Sequence, residues 1–182
     1  MINLDNNFIA AGKKRNVYLH PLDCNKCIKI PKKSFKDIKD EYRTLASLSN
    51  FKYYTKNYGF IDTNLGKGLV FKLIKDTNVQ CDVSLTLGKF VKKHGITDEL
   101  INKINELVKY LINDKIMISD LTASNILVQT DEYKIQKLFI CDGIASKTLI
   151  DTRNYMFNKK LKKWFIKRKF RKLMRELNNY DK

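Results

Sequence analysis

The sequence predicts an α+β fold in two lobes: a small sheet-and-helix lobe, then a helical lobe with a short hairpin of its own. Three observations predict it. The first quarter alternates short β-like runs with breaks at Gly, Asn and Pro. Two later segments place apolar residues every three or four positions, which is one face of a helix. The chain has 182 residues with 43% hydrophobic content, enough to bury a real core, and no uncharged apolar stretch of about 18 residues that would cross a membrane.

The elements follow in order. "FIAAGKKRNVYLH" reads as a strand, a turn around Gly12, and a second strand through Val17 and Leu19. "HPLDCN" is a turn, and "KCIKIP" is a third strand stopped by Pro31. Ser34 to Ser49 reads as a helix whose face is Phe35, Ile38, Tyr42, Leu45 and Leu48. "YGFIDTNLGKGLVFKLI" reads as a hairpin with strands Tyr58–Asp62 and Gly68–Ile74 and a turn holding Asn64, Gly66 and Gly68. "TLGKFVKKHG" is a short helix ended by Gly95. Asp98 can cap a longer helix from Glu99 to Asn113, with Leu100, Ile104, Leu107, Val108 and Leu111 on one face. After the loop "ISDLTASNIL" come a strand pair within "NILVQTDEYKIQKLFICDG" and a basic C-terminal segment.

Composition narrows the function classes. The N-terminus lacks a basic region and a long apolar core, so no export signal is expected and the expected location is the cytoplasm. Of the four cysteines, Cys24 and Cys27 form a C-x-x-C, which is either half of a zinc site or a redox pair, or simply two reduced thiols. Cys81 and Cys141 stand alone, so the two remaining ligands of a tetrahedral site are not in view and the thiol reading is preferred. His20 before Pro21 and His94 before Gly95 read as structural residues. The charge is lopsided: 36 basic against 19 acidic residues, a formal +17, of which Arg153 to Lys182 carries +10. Such a tail favours an anionic partner.

Four features line up in chain order: a Gly turn between two strands at Gly12; a strand lysine, Lys29, followed 12 residues later by Glu41 on the helix face opposite the core; Asp120 with Asn125; and Asp142 in "FICDG" at a strand end. Each has a bland reading. Lys29 flanked by isoleucines is commonly a wet edge-strand residue, Asp120 and Asn125 are good turn and cap residues, and Asp-Gly is a turn dipeptide. Taken together, the order resembles the protein kinase fold. There a strand lysine pairs with a helix glutamate to hold nucleotide phosphates, a D-L-x-x-x-N loop supplies a base and a metal ligand, and D-F-G supplies the second metal ligand. "GKKRNVYLHP", "CIKI", "DEYRTL", "NIL" and "CDGIASKTLI" are similar to the PhoP regulatory network protein YrbL family of compact, kinase-like bacterial proteins, over roughly residues 8 to 165.

The resemblance implies a minimal protein-kinase-like two-lobe fold with a truncated C-terminal lobe. Residues 1–152 would form the kinase-like domain, divided into lobes 1–75 and 76–152, and 153–182 a basic C-terminal helix. It implies ATP and Mg²⁺ as cofactors and a place in a bacterial regulatory network. Gly12 to Val17 would cover the phosphates, Lys29 would bind them with Glu41 as its partner, and Phe71 to Ile74, including Leu73, would line the adenine edge. Asp120 would be the general base, and Asn125 and Asp142 the metal ligands. The sequence departs from the kinase pattern in having one glycine in the first turn, Ile118-Ser119 before the Asp, Thr122 where a lysine is usual, and "DGI" for "DFG". Only 40 residues follow Asp142, so the segments that seat a protein substrate are expected to be missing. An atypical phosphotransferase and a non-catalytic, pseudokinase-type regulator both fit.

The C-terminal helix has a split stripe. At 100° per residue, Phe157, Leu161, Trp164 and Phe165 share one face, while Ile166, Phe170, Leu173 and Leu177 share nearly the opposite one. In one reading the first half docks on the core and residues 166–182 lie on an anionic membrane surface, peripheral at its inner face. In the other, a bent helix packs wholly on its own domain. Nucleic acid is the weaker anionic partner, since no helix-turn-helix, RNA-recognition or zinc-finger signature is present.

Overall fold

The computed structural model describes residues 1–46, 51–77, 82–114, 118–132, 134–144 and 159–181. Leu48, Ser49, Cys81 and Phe157, named above, lie outside the described residues. The chain divides into two compact units, Met1–Ile74 and Lys75–Lys182.

Among its described residues the first unit is a five-stranded antiparallel sheet with one helix. The strands are β1 (Phe8–Ala11), β2 (Arg15–His20), β3 (Asp23–Pro31), β4 (Asn57–Thr63) and β5 (Gly66–Lys72), in the order β1-β2-β3-β5-β4, and helix α1 is Phe35–Ala46. Central β3 is buried along Cys27, Ile28, Lys29 and Ile30, that is, on both faces. Ile28 and Ile30 pack with Leu4, Tyr18 and Val70 in a core cluster that also takes in Ile2 and Ile61. The chain start covers this face because Ile2 bonds Asp62 and Asn64 through the backbone, and the Leu4 amide donates to Asn64 Oδ1. Helix α1 covers the other face, burying Ile38 and Leu45 and setting Phe35 and Tyr42 against Phe60, with ring centroids 5.2 and 4.7 Å apart. The turn between β4 and β5 uses Gly66 at φ 100°. Gly68, expected in that turn, lies inside β5, where an added Cβ would stand 2.5 Å from Ile28 Cγ2. It lets β5 pass close beside β3.

Among its described residues the second unit pairs a small sheet with three α-helices. The strands are β6 (Leu85–Thr86), β7 (Ile126–Asp131) and β8 (Lys134–Ile140), in the order β6-β7-β8, and the helices are α2 (Leu87–His94), α3 (Asp98–Asn113) and α4 (Lys159–Tyr180). Helix α3 buries Leu100, Ile104, Leu107, Val108 and Leu111, the face its periodicity predicts. Its cap is Thr97, whose hydroxyl accepts from the Leu100 amide at 3.2 Å, while Asp98 sits in the first turn where its charge suits the helix dipole.

Helix α4 reverses one expectation. The stripe expected to dock is not the buried one: Leu161 and Trp164 are exposed, whereas Ile166, Leu173 and Leu177 are wholly buried in a helix that packs on α2 and α3. The second half is therefore part of the domain core, and the helix belongs to the second unit. The reason is the stripe at Ile166, Leu173 and Leu177, a near-heptad spacing that keeps one face on its neighbours. Buried Lys162 lies on the same side and donates to the Asp114 carbonyl at the end of α3, where a cation complements the helix C-terminus. Burial lowers the Lys162 pKa, and Asp114 opposes that shift.

Candidate functional site

In the first unit, the β2–β3 register places Val17 opposite Lys29, and the β3–β5 register places Leu69 on its other side. Lys29 thus points to the α1 face, which a single helix covers. Its Nζ donates to Glu41 Oε1 at 2.9 Å and lies 4.0 Å from the centre of the Phe71 ring. Lys29 and Glu41 are 6% and 5% exposed, so this is a buried ion pair. The expectation that Glu41 faces away from the core is corrected here: the carboxylate turns in to meet the lysine. Lys29 is not the wet residue of an edge strand, because β3 is central and covered on both sides. Glu41 Oε2 also accepts from the Arg15 guanidinium. Two cations therefore share one buried carboxylate, and a carboxylate so placed is held by geometry as much as by charge.

The other residues expected in this half lie along the same strands. Gly12 opens the β1–β2 turn, and its amide donates to the Arg15 carbonyl at 2.7 Å. Phe71 and Leu73 are buried at and just beyond the end of β5, and the Leu73 amide donates to the Asn25 carbonyl at 2.8 Å. The C-x-x-C splits across β3: Cys24 is exposed and Cys27 buried. Burial pushes the Cys27 thiol up to about 11, the wrong direction for a redox or metal-binding thiolate.

In the second unit, Asp120, Asn125 and Asp142 belong to one hydrogen-bonded knot. The Gly143 carbonyl accepts from the Ser119 amide at 2.8 Å, the Asp120 amide at 3.1 Å and the Ser119 hydroxyl at 2.9 Å. Asn125 Nδ2 donates to the Asp120 carbonyl at 3.1 Å and to Asp120 Oδ2 at 3.3 Å. The Asn125 carbonyl accepts from the Cys141 amide at 3.0 Å, and Asp142 Oδ1 from the Gly143 amide at 2.7 Å. Gly143 sits at φ 82°, and a Cβ there would stand 2.2 Å from the Asp120 carbonyl oxygen. Only glycine allows this approach. Asp120 itself is exposed.

Mg²⁺ prefers oxygen ligands and is usually held by one or two carboxylates together with phosphate oxygens and water. The loop fits that pattern. Asn125 spends its Nδ2 on Asp120, which leaves the carboxamide oxygen as its acceptor, and the Asp142 carboxylate follows two residues beyond the end of β8. Among the described residues no three His, Cys, Asp or Glu side chains gather into a self-sufficient metal cluster.

Residues 2–178 match the family described as PhoP regulatory network protein YrbL. The chain belongs to that family. Similar relatives are the proteins named Uncharacterized protein YrbL of Escherichia coli (strain K12) and of Shigella flexneri, each 26% identical over 153 residues, 78% of this chain and 72% of the relative. Among solved structures the chain is similar to Rad53 1–466 in complex with AMP-PNP, with a TM-score of 0.55, 19% identity, and coverage of 77% of this chain and 37% of that one. It is also similar to the kinase domain of PF14_0431, with a TM-score of 0.56, 17% identity, and coverage of 80% and 53%. These likenesses show a protein-kinase-like fold, and this YrbL-family chain spans about half or less of those solved chains.

Three residues of this chain were not singled out as site residues from the sequence. Arg15 lies two positions before Val17, so the antiparallel register puts it on the Lys29 face. That signal was present in the sequence once β2 was paired with β3. Lys169 and Glu176 of α4 both touch the Ser119–Asn125 loop: Lys169 Nζ donates to the Ser119 carbonyl, and Glu176 Oε2 accepts from the Ala123 amide at 3.2 Å. Nothing in the sequence alone ties a helix some 50 residues downstream to that loop. No described helix of the chain is long and apolar enough to cross a membrane.

Proposed function

We propose that the protein is a kinase-like ATP- and Mg²⁺-binding protein of a bacterial regulatory network, with an atypical phosphotransferase site. The observation that carries this reading is the buried Lys29–Glu41 pair, a strand lysine held by a helix glutamate at 2.9 Å, the arrangement by which kinases present a cation to nucleotide phosphates. Gly12 to Val17 would cover the phosphates, with Phe71 and Leu73 beside the base. Asn125 and Asp142 would hold Mg²⁺, which when bound neutralises charge on the phosphates. Exposed Asp120, oriented by Asn125 and the Gly143 carbonyl, would accept the proton of an attacking hydroxyl. Thermal melting with ATP and Mg²⁺ tests the reading. Ligand at 100 times its Kd should raise the midpoint by roughly 5–10 °C in the wild type and not in Asp142→Ala. No rise in the wild type at millimolar nucleotide would overturn it. A rise without any phosphate transfer would favour the pseudokinase form of the same reading.

A second reading rests on the exposed side of α4. Lys160, Lys163, Lys167, Arg168, Arg171, Lys172 and Arg175 are exposed there, and Trp164 is 54% exposed beneath the Arg168 guanidinium. This surface suits a peripheral, electrostatic contact with an anionic lipid surface. The buried stripe at Ile166, Leu173 and Leu177 rules out deletion of residues 166–182 as a clean test. Reversing Lys167, Arg171 and Lys172 to Glu should abolish sedimentation with phosphatidylserine vesicles, and unchanged sedimentation would refute this reading.

A further inference from the structure

The loop of Asp120 has no cation of its own where kinase loops carry one: the residue two beyond the Asp is Thr122, whose hydroxyl bonds Ser124 at 3.2 Å. A cation is nevertheless present, and it comes from another element. Lys169 on α4 is half-buried, stacks 4.8 Å over the Phe165 ring, and donates from Nζ to the carbonyl of Ser119, the residue immediately before Asp120. Its charge also interacts favourably with the Asp120 carboxylate, against the desolvation that lowers its pKa and the neighbouring charges of Lys172 and Arg168. Seven residues further along, Glu176 on the same face accepts from the Ala123 amide. Buried Leu173 lies between them and fixes the helix against the domain. The helix therefore grips the loop at both ends, with a cation at the base and an anion at the 3₁₀ turn Ala123–Asn125.

We propose that Lys169 is the cation of the catalytic-type loop, delivered from the C-terminal helix to take over the charge that Thr122 does not carry and to engage the terminal phosphate of a bound nucleoside triphosphate. An ammonium group has three N–H donors, and the Ser119 carbonyl uses one. A loop lysine and a helix lysine differ in what holds them: here the cation's position depends on the docking of α4, so the helix is part of the site and not an appendage to it. Glu176 is a positioning residue, acting only through the loop backbone.

This inference rests on the nucleotide reading, and the test separates the two. Kd for Mg²⁺–AMP-PNP and for Mg²⁺–ADP is measured by calorimetry on the full chain, because only the former carries the third phosphate. The wild type should prefer AMP-PNP. Lys169→Gln keeps a donor for the Ser119 carbonyl but removes the charge, and should reduce that preference at least fivefold while leaving ADP affinity within twofold. Lys169→Arg, and the relocation variant Lys169→Gln/Thr122→Lys, should restore it. Glu176→Gln keeps an acceptor for the Ala123 amide and so should leave the ratio of the two constants unchanged; a ratio lowered as far as by Lys169→Gln would show that the effect reports α4 docking and overturn the inference. If the wild type binds both nucleotides without preference, or Lys169→Gln retains the preference, the inference falls and the nucleotide reading stands. If the wild type binds neither, both fall.

Discussion

Replacing Glu41 by Gln probes the charge arrangement of the first unit directly. The carboxylate is 4% exposed at the side chain and bridges Lys29 Nζ at 2.9 Å and the Arg15 guanidinium, whose side chain is 12% exposed. Glutamine preserves size and one acceptor oxygen but removes the charge, leaving the buried Lys29 and the partly buried Arg15 around a neutral group. Removing one partner of a buried ion pair costs about 3–5 kcal/mol, because the remaining charge stays desolvated. Lys29→Met should cost less. Glu41 keeps Arg15, and the methionine chain can stay over the Phe71 ring that the ammonium now approaches to 4.0 Å. The loss is then one charge-assisted hydrogen bond, roughly 1.5–3 kcal/mol, offset in part by sulfur–ring contact. Urea unfolding of both variants, followed by the fluorescence of the tyrosine-rich first unit and by circular dichroism, gives the two free energies. Glu41→Gln should be the more damaging by at least about 1 kcal/mol. Equal costs, or Lys29→Met the worse, would refute the idea that the Glu41 carboxylate bridges both cations.

Other outcomes follow from the same structure. Gly143→Ala places a Cβ 2.2 Å from the Asp120 carbonyl at φ 82° and should open the loop, seen as faster amide hydrogen exchange across Ser119–Asn125 and a loss of roughly 1–3 kcal/mol. Leu173→Ala should cost about 2–5 kcal/mol in urea unfolding, because the side chain is wholly buried; a near-neutral result would mean that the second half of α4 lies off the domain. With iodoacetamide at pH 8 the native protein should label at Cys24 and spare Cys27, whose raised pKa of about 11 leaves about one thiol in a thousand ionised. Mass spectrometry of the labelled peptides reads the outcome, and equal labelling of the two would contradict the burial of Cys27.

Much of the fold was legible because local pattern and tertiary burial agree. The α3 face and the end of α2 at Gly95 follow from periodicity and cap chemistry, and the β4–β5 hairpin from its turn residues. Lys29 was harder to read. Alternation along "CIKI" suggests a strand with one wet face, whereas Ile2 and Leu4 cover one side of β3 and α1 the other, a pairing of distant segments that no short window contains. The same blindness placed Glu41 on the outer face of its helix. In α4, two apolar stripes are visible in the sequence, but which one docks depends on the shapes of α2 and α3. Ile166, Leu173 and Leu177 are the ones buried, while Trp164 is left outside. The loop residues Asp120, Asn125 and Asp142 were legible by spacing. The Gly143 carbonyl and the α4 residues that hold them were not, since backbone acceptors and contacts across some 50 residues leave no local mark.

The most direct measurement of the central reading is calorimetric titration of the full chain with ATP, with and without Mg²⁺, beside Lys29→Met and Asp142→Ala. The wild type should bind ATP more tightly with Mg²⁺ present, Lys29→Met should weaken binding under both conditions, and Asp142→Ala should lose the Mg²⁺-dependent gain alone. Binding by the wild type that neither substitution alters, or no binding at millimolar ATP, would contradict it.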